Sequence, residues 1–472
     1  MQSDTPDIDL PPENSVKEGA EQALYEKRKK IYPREVHGRF AILRTTSVIV
    51  LLGLYYILPW LELDDRQIVI FDLPARKFYV FWLTFWPQDF LLLAFLLILA
   101  AISLFFFTAL SGRLWCGYSC PQTVWTEVYL WIERKVEGSS IRQMKLDKAE
   151  LSTNKIVRKS VKHFLWLLIA GATAVTFVAY FTPEKELTHK LFTLQLGNWE
   201  MFWITFFTFG TYVNAGWMRE QVCIYMCPYA RFQSAMFDND TLIISYDEKR
   251  GEPQGARRFG TDYKAKGLGD CINCTMCVQV CPTCIDIRDG LQYECIGCSA
   301  CIDVCDDVMD KMNYPKGLIR YTTENAMEGL PSPILRPRII IYMVMLLLLS
   351  SILIYSLNQR TLIDLNIIRD RNQLYRETSG LIENIYTLKL INMDAQDHDF
   401  VINAEGIDNM ILLIDRKDIS VDAGTVYDLP VRIRASEENL SGQSTEIRFT
   451  LSVPGSDDLS ITQTGKFLGP LQ

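Results

Sequence analysis

Thirteen cysteines in a chain of 472 residues fall into three groups: Cys116 with Cys120, Cys223 with Cys227, and nine between Cys271 and Cys305. Disulfide frameworks spread over the domains they staple, whereas gaps of two or three residues suit a metal centre. In the third group Cys271, Cys274, Cys277 and Cys281 are followed by Pro282, and Cys295, Cys298, Cys301 and Cys305 repeat the same gaps. This is the bacterial ferredoxin run, in which the fourth cysteine of each run ligates the other [4Fe-4S] cube. The crossed assignment gives Cys271, Cys274, Cys277 and Cys305 to cluster one, and Cys295, Cys298, Cys301 and Cys281 to cluster two. Zinc ribbons share the two-residue gaps, but two matching four-member runs, one closed by Pro, favour cubes. Asp306 stands where the second Pro is expected, and Pro is not a ligand. Cys284 is left over. Two readings fit it, a small side chain buried near a cluster, which is favoured, or a replacement ligand.

Five apolar stretches, at about 41–61, 90–110, 164–181, 201–217 and 339–357, are long enough to span or nearly span a bilayer as helices. The fourth is the weakest, because Thr205, Thr208, Thr211 and Asn214 interrupt it. Lys and Arg crowd the sequence before the first span and over 111–162, and are sparse in the loops near 62–87 and 183–198. The positive-inside rule then puts the N-terminus, the middle loop and the cysteine insert in the cytoplasm, and an odd number of spans sends the C-terminal part to the periplasm. The reducing compartment suits thiolates and iron–sulfur clusters. The expected order is a tail over 1–40, disordered to about Tyr32, four spans over 41–240, a ferredoxin-like insert over 241–335, a fifth span over 336–358 and an extracytoplasmic domain over 359–472. In that last segment, runs such as "YTLKLIN", "DLPVRIRAS" and "TEIRFTLSVPG" alternate apolar and polar residues between turn signals. Such alternation predicts an all-β, immunoglobulin-like sandwich. The fold class is therefore a multi-domain membrane protein: a five-helix transmembrane domain, a two-cluster insert and a β sandwich, in a bacterial inner membrane whose lipid is its first partner.

The second and fourth spans end in one device, "WCGYSCPQTVW" and "EQVCIYMCPYARFQ". Both read Cys-x3-Cys-Pro. On a helix a gap of four positions stacks both sulfurs on one face, and Pro121 and Pro228 suit the first turn of a following helix. Two such units side by side bring four thiols together, and thiolates prefer Cu(I), zinc or iron–sulfur chemistry. Three readings remain open: a thiolate metal site, a dithiol relay, or packing. Met218 and Met226 are more readily explained as packing than as thioether ligands.

Other residues narrow the function. A formal net charge of −8 offers no basic surface for nucleic acid. His37, His163, His189 and His398 are too few and too scattered for a haem-bearing bundle. The tryptophans near span ends are those of an interfacial belt.

Taken together, "CGYSCPQTVW", "CIYMCPYARFQ", "RGEP" at Arg250–Pro253, the double ferredoxin run, the fifth span and the immunoglobulin-like tail resemble the cytochrome c oxidase accessory proteins of the CcoG, FixG and RdxA type, over almost the whole chain. The resemblance implies a role in cbb3-type oxidase assembly with cupric reductase activity, Cu(II) to Cu(I). It implies copper handling, catalytic and metal-binding, at Cys116, Cys120, Cys223 and Cys227, with the eight cluster cysteines as the electron wire. Expected partners are cbb3 assembly factors or copper chaperones and an unknown cytoplasmic electron donor, with a second copy of the chain left open. The competing classes are a polyferredoxin subunit of a quinol-oxidising chain and a non-catalytic assembly scaffold.

Overall fold

The computed structural model describes residues 30–470 except 64–65, 371–372, 379, 395 and 416–418. The expected N-terminal tail lies outside the described residues up to position 29. Lys30 and Tyr32 differ from the disorder expected to about Tyr32. Lys30 Nζ lies 3.1 Å from Glu133 and 3.0 Å from Asp147, and Tyr32 donates to Asp147. The reason is electrostatic, since Glu133 is buried and needs countercharge.

Among the described residues four helices are long and apolar enough to cross a membrane: Arg39–Trp60, Pro87–Ser111, Thr153–Ala179 and Pro337–Asn358. They cover most or all of four of the five expected stretches. The remaining one, 201–217, is helical in two parts. An α-helix over Asn198–Thr211 passes into a π-helical turn over Tyr212–Met218. The α part has 14 residues, short of the ~20 a spanning helix needs, and the Arg219 N–H closes the wide turn on the Asn214 carbonyl at 2.8 Å.

By its contacts the chain forms two units, one made of the chain up to Glu62 with Ala101–Val344, the other of Leu63–Ala100 with Met345–Gln472. In the first unit, the amphipathic helix Pro121–Glu137 packs on Thr153–Ala179. Tyr129 Oη donates to the Trp166 carbonyl at 2.9 Å, and Trp166 Nε1 donates to the Tyr129 carbonyl at 3.2 Å. Beneath this pair, Glu133 accepts from Arg219 at 2.8 Å and Glu137 pairs with Lys162 at 2.9 Å. The cysteine insert is closed by an antiparallel strand pair, Ile243–Tyr246 with Ile319–Thr322. Between those strands lie the short helix Met276–Val280 and the longer one Ala300–Met312. Pro282 explains the difference in length, because the residue before a proline is driven out of helical geometry. Asp306 imposes no such stop, so the second helix runs on through Cys305.

In the second unit, the segment expected as a plain loop carries a three-stranded antiparallel sheet, Val69–Asp72, Lys77–Val80 and Leu83–Phe85. The C-terminal domain is the expected β sandwich, with one five-stranded and one four-stranded sheet. Its strand Ser444–Val453 alternates buried and exposed positions, as period-two patterning requires. Tyr386, Leu388, Val431 and Ile433 from one sheet meet Phe449, Leu451 and Phe467 from the other in one core.

Candidate functional site: two cradles and a duplicated thiol turn

The two ferredoxin runs share a backbone pattern that the spacing alone does not reveal. Asn273 and Thr275 in the first run, and Gly297 and Ser299 in the second, all have left-handed backbone conformations (φ between 50° and 69°) at equivalent places. Left-handed residues alternating with right-handed ones turn successive N–H groups inward into an anion-binding nest. Each nest opens on a small cavity. Cys271, Cys274, Cys277 and Cys305 line one. Cys281, Cys295, Cys298 and Cys301 line the other, with Cys277 on the wall between them. The cavities thus gather the thiols in the crossed sets expected from the run, and this donor set fits two [4Fe-4S] cubes. Burial pushes the Cys295 and Cys305 thiols up to about 12.

Cys284 departs from the favoured expectation. It is exposed, in left-handed backbone, in the turn that its N–H closes on the Cys281 carbonyl at 3.2 Å. That turn carries its side chain outward, away from both cavities.

The paired motifs have one geometry. Cys120 and Cys227 both adopt extended backbone just before the Pro that starts the next helix. The N–H of each reaches back five residues, Cys120 to Trp115 O and Cys227 to Val222 O, both at 2.8 Å. Cys116 lies on the short helix Leu114–Tyr118 and Cys223 on the π turn Val222–Met226. Burial, then the nearby Cys120, pushes the Cys116 thiol up to about 12, with Cys223 and Cys227 contributing. Burial also takes Cys223 to about 12, and Arg113 opposes the rise at both thiols. All four thiols therefore occupy one neighbourhood. Among the described residues no three His, Cys, Asp or Glu side chains converge closely enough to hold a single ion. Met226 is exposed.

Several functional contacts were not singled out from the sequence. Gln233, fully buried, accepts from Cys116 Sγ at 3.4 Å and donates to the Gly112 carbonyl at 3.0 Å. Arg113, also buried, donates to the Cys295 carbonyl at 2.9 Å and to the Ala230 carbonyl at 2.8 Å, bridging the thiol turns to the second cradle. Arg44 donates to the Cys298 carbonyl at 2.7 Å. Closest of all is Gly117, between Cys116 and Cys120. A Cβ there would stand 2.7 Å from the Gly297 carbonyl oxygen and 3.1 Å from Cys298 Cα. The first thiol turn is in backbone contact with the second cradle. Gln233 closes the second repeated motif and Arg113 stands two residues before the first, and their nearness to the cysteines was the available signal.

Comparison with known proteins places this architecture. The chain is 37% identical over 422 residues to the nitrogen fixation protein FixG of Rhizobium meliloti, covering 81% of this chain and 80% of that one. The chain belongs to the FixG family. Two further FixG-family relatives come from Cereibacter sphaeroides, the protein RdxA (38% identical; 88% of this chain, 89% of that one) and the protein RdxB (41%; 81% and 83%). Residues 353–470 match the family model described as the IG-like fold at the C-terminal of FixG, an oxidoreductase. Residues 218–324 match a 4Fe-4S dicluster domain and residues 93–138 a 4Fe-4S binding domain. The last region contributes only Cys116 and Cys120, half the thiols a cube requires. This FixG-family chain is thus an iron–sulfur membrane protein of oxidoreductase type.

Proposed function

We propose that this protein reduces Cu(II) to Cu(I) at Cys116, Cys120, Cys223 and Cys227 during assembly of a cbb3-type cytochrome c oxidase. In this reading the insert and the thiol turns face the cytoplasm, the sandwich faces the periplasm, and copper is substrate, not resident cofactor. The observation that carries the proposal is the backbone contact of Gly117 with Gly297 and Cys298.

Two [4Fe-4S] clusters, when bound, supply one electron each. The chain's own residues do the rest. Cys271, Cys274, Cys277 and Cys305 hold the outer group, and Cys281, Cys295, Cys298 and Cys301 the inner one. Arg113 fixes the inner cradle against the thiol turns. Cys116, Cys120, Cys223 and Cys227 receive Cu(II), lose protons on binding it, and favour the Cu(I) product because thiolates are soft ligands. Per ion one electron is consumed and Cu(I) leaves to an acceptor such as a copper chaperone.

Stopped-flow mixing of dithionite-reduced protein with Cu(II) tests this, in wild type and in Cys116→Ser plus Cys227→Ser. Rapid reoxidation in wild type, slowed at least tenfold in the double variant, is expected. Equal rates would remove copper from the thiol site while leaving the iron–sulfur assignment untouched.

A further inference from the structure

A cavity of about 750 Å³ lies in the first unit, between the start of the first span, the helix Pro121–Glu137 and the insert. Its size is that of a small-molecule site. Thr283, Ile296, Cys298 and Ala300 line both this cavity and the cradle of cluster two, so a single layer of residues separates the two spaces. Part of its wall is apolar. Ile42 and Ile49 of the first span and Trp131 are exposed there, on a span with none of its apolar window buried by protein. The cavity therefore opens on the lipid.

The wall also carries unmet hydrogen-bond donors. Arg44 Nε and Arg134 Nε are both buried and have no partner within the protein, although each guanidinium is held elsewhere, Arg44 by the Cys298 carbonyl at 2.7 Å and Arg134 by Glu127 at 3.0 Å. Buried donors left unpaired cost ~1–3 kcal/mol each, so both call for an oxygen acceptor in the cavity. Glu35, Glu127 and Glu220 share the wall with Arg34, Arg44, Arg134 and Arg219, and the pairing of Arg134 with Glu127 and of Arg219 with Glu133 offsets enough of the arginine charge to favour a neutral headgroup over a phosphate.

We infer that this cavity binds an isoprenoid quinol, its head oxygens on Arg44 and Arg134 and its tail along Ile42 and Ile49, as electron donor to cluster two. The direction of flow rests on the copper-reductase reading. One quinol becomes one quinone: two O–H bonds break, two electrons are delivered one to each cluster, and two protons pass to Glu127 and Glu220 and on to water. Two Cu(II) ions are then reduced per quinol.

The test uses full-length, cluster-loaded protein in nanodiscs, with an azido-ubiquinone photolabel and with decylubiquinol, in the absence of copper. Saturable labelling within residues 41–49 and 122–134, and appearance of the reduced-cluster paramagnetic resonance signal on adding decylubiquinol, are expected. Thr45→Trp, which fills the mouth from the first span, and Arg134→Gln should each lower labelling at least fivefold with iron content unchanged. Unsaturable labelling, equal labelling in Thr45→Trp, displacement of the label by co-purified phospholipid, or binding without cluster reduction would each overturn the donor site. Quinol-reduced clusters that Cu(II) fails to reoxidise would instead sink the copper reading alone. Clusters that Cu(II) reoxidises after dithionite, but that quinol neither labels nor reduces, would sink the donor site alone.

Discussion

Gly117→Ala is the sharpest probe of the link between thiol turn and cradle. The added Cβ would lie 2.7 Å from Gly297 O, 2.9 Å from Gly297 C and 3.1 Å from Cys298 Cα. All three atoms are backbone, so no side chain can swing aside, and overpacking of this kind costs about 1–3 kcal/mol. Gly117 is helical, and replacing glycine by alanine in a helix returns about 0.5–1 kcal/mol. The net penalty, about 1.25 kcal/mol at the middle of these ranges and about 2.5 kcal/mol at most, shifts the docked-to-undocked balance of the insert roughly 8-fold, and up to roughly 70-fold. Gly171→Ala, where nothing stands within 4 Å of the new Cβ, is the matched control. Hydrogen exchange at residues 295–299 should speed up in Gly117→Ala and not in the control, and Cu(II)-driven cluster reoxidation should slow with it. Unchanged exchange and unchanged reoxidation in Gly117→Ala would refute the docking contact and the electron path drawn through it.

Arg113→Gln removes charge-assisted bonds to two buried carbonyls, and a loss of about 2–5 kcal/mol should appear as a lower denaturation midpoint of the first unit. Burial pushes the Glu133 carboxyl up, but Arg219, Lys30 and Lys162 outweigh it and hold it at about 2, below its ordinary 4.5. Its stabilisation is therefore present above pH 4.5 and is lost as pH falls toward 2, about 3 kcal/mol in all. A pH series of thermal melts should show this slope in wild type and lose it in Glu133→Gln. Cys284→Ser should leave iron content and the cluster spectrum at wild-type levels, since the side chain is exposed outside both cradles. In the sandwich, Phe449→Ala should cost about 3–5 kcal/mol, read as a lower melting temperature. Tyr386→Phe, which strands the Lys466 carbonyl now bonded at 2.9 Å, should cost about 1 kcal/mol.

The grouping of the thiols around two cavities and the sandwich were legible because both are written in local spacing. The two, two and three gaps foretold which thiols share a cavity, and alternation marked strands such as Leu381–Asn392 and Ser444–Val453. The divided helix at 198–218 was foreshadowed only by its threonines, since a π turn is set by packing. Gly216 in that turn approaches the Trp166 ring, and no residue near it in sequence signals the contact. Arg113, Gln233 and Arg44 act through carbonyls more than a hundred residues away, beyond any periodicity. The expectation for Cys284 failed because cysteine is usually buried, while a left-handed turn after Pro282 decides where this one points.

The duplicated turns are alike in their five-residue bond and unlike at one position. Where the first copy has Gly117, the second has Ile224. A branched side chain there does not permit the backbone approach that Gly117 makes to the cradle. In the copper-reductase reading proposed above, this asymmetry divides the work between the two copies, charge entering through the first and cargo being handled by the second.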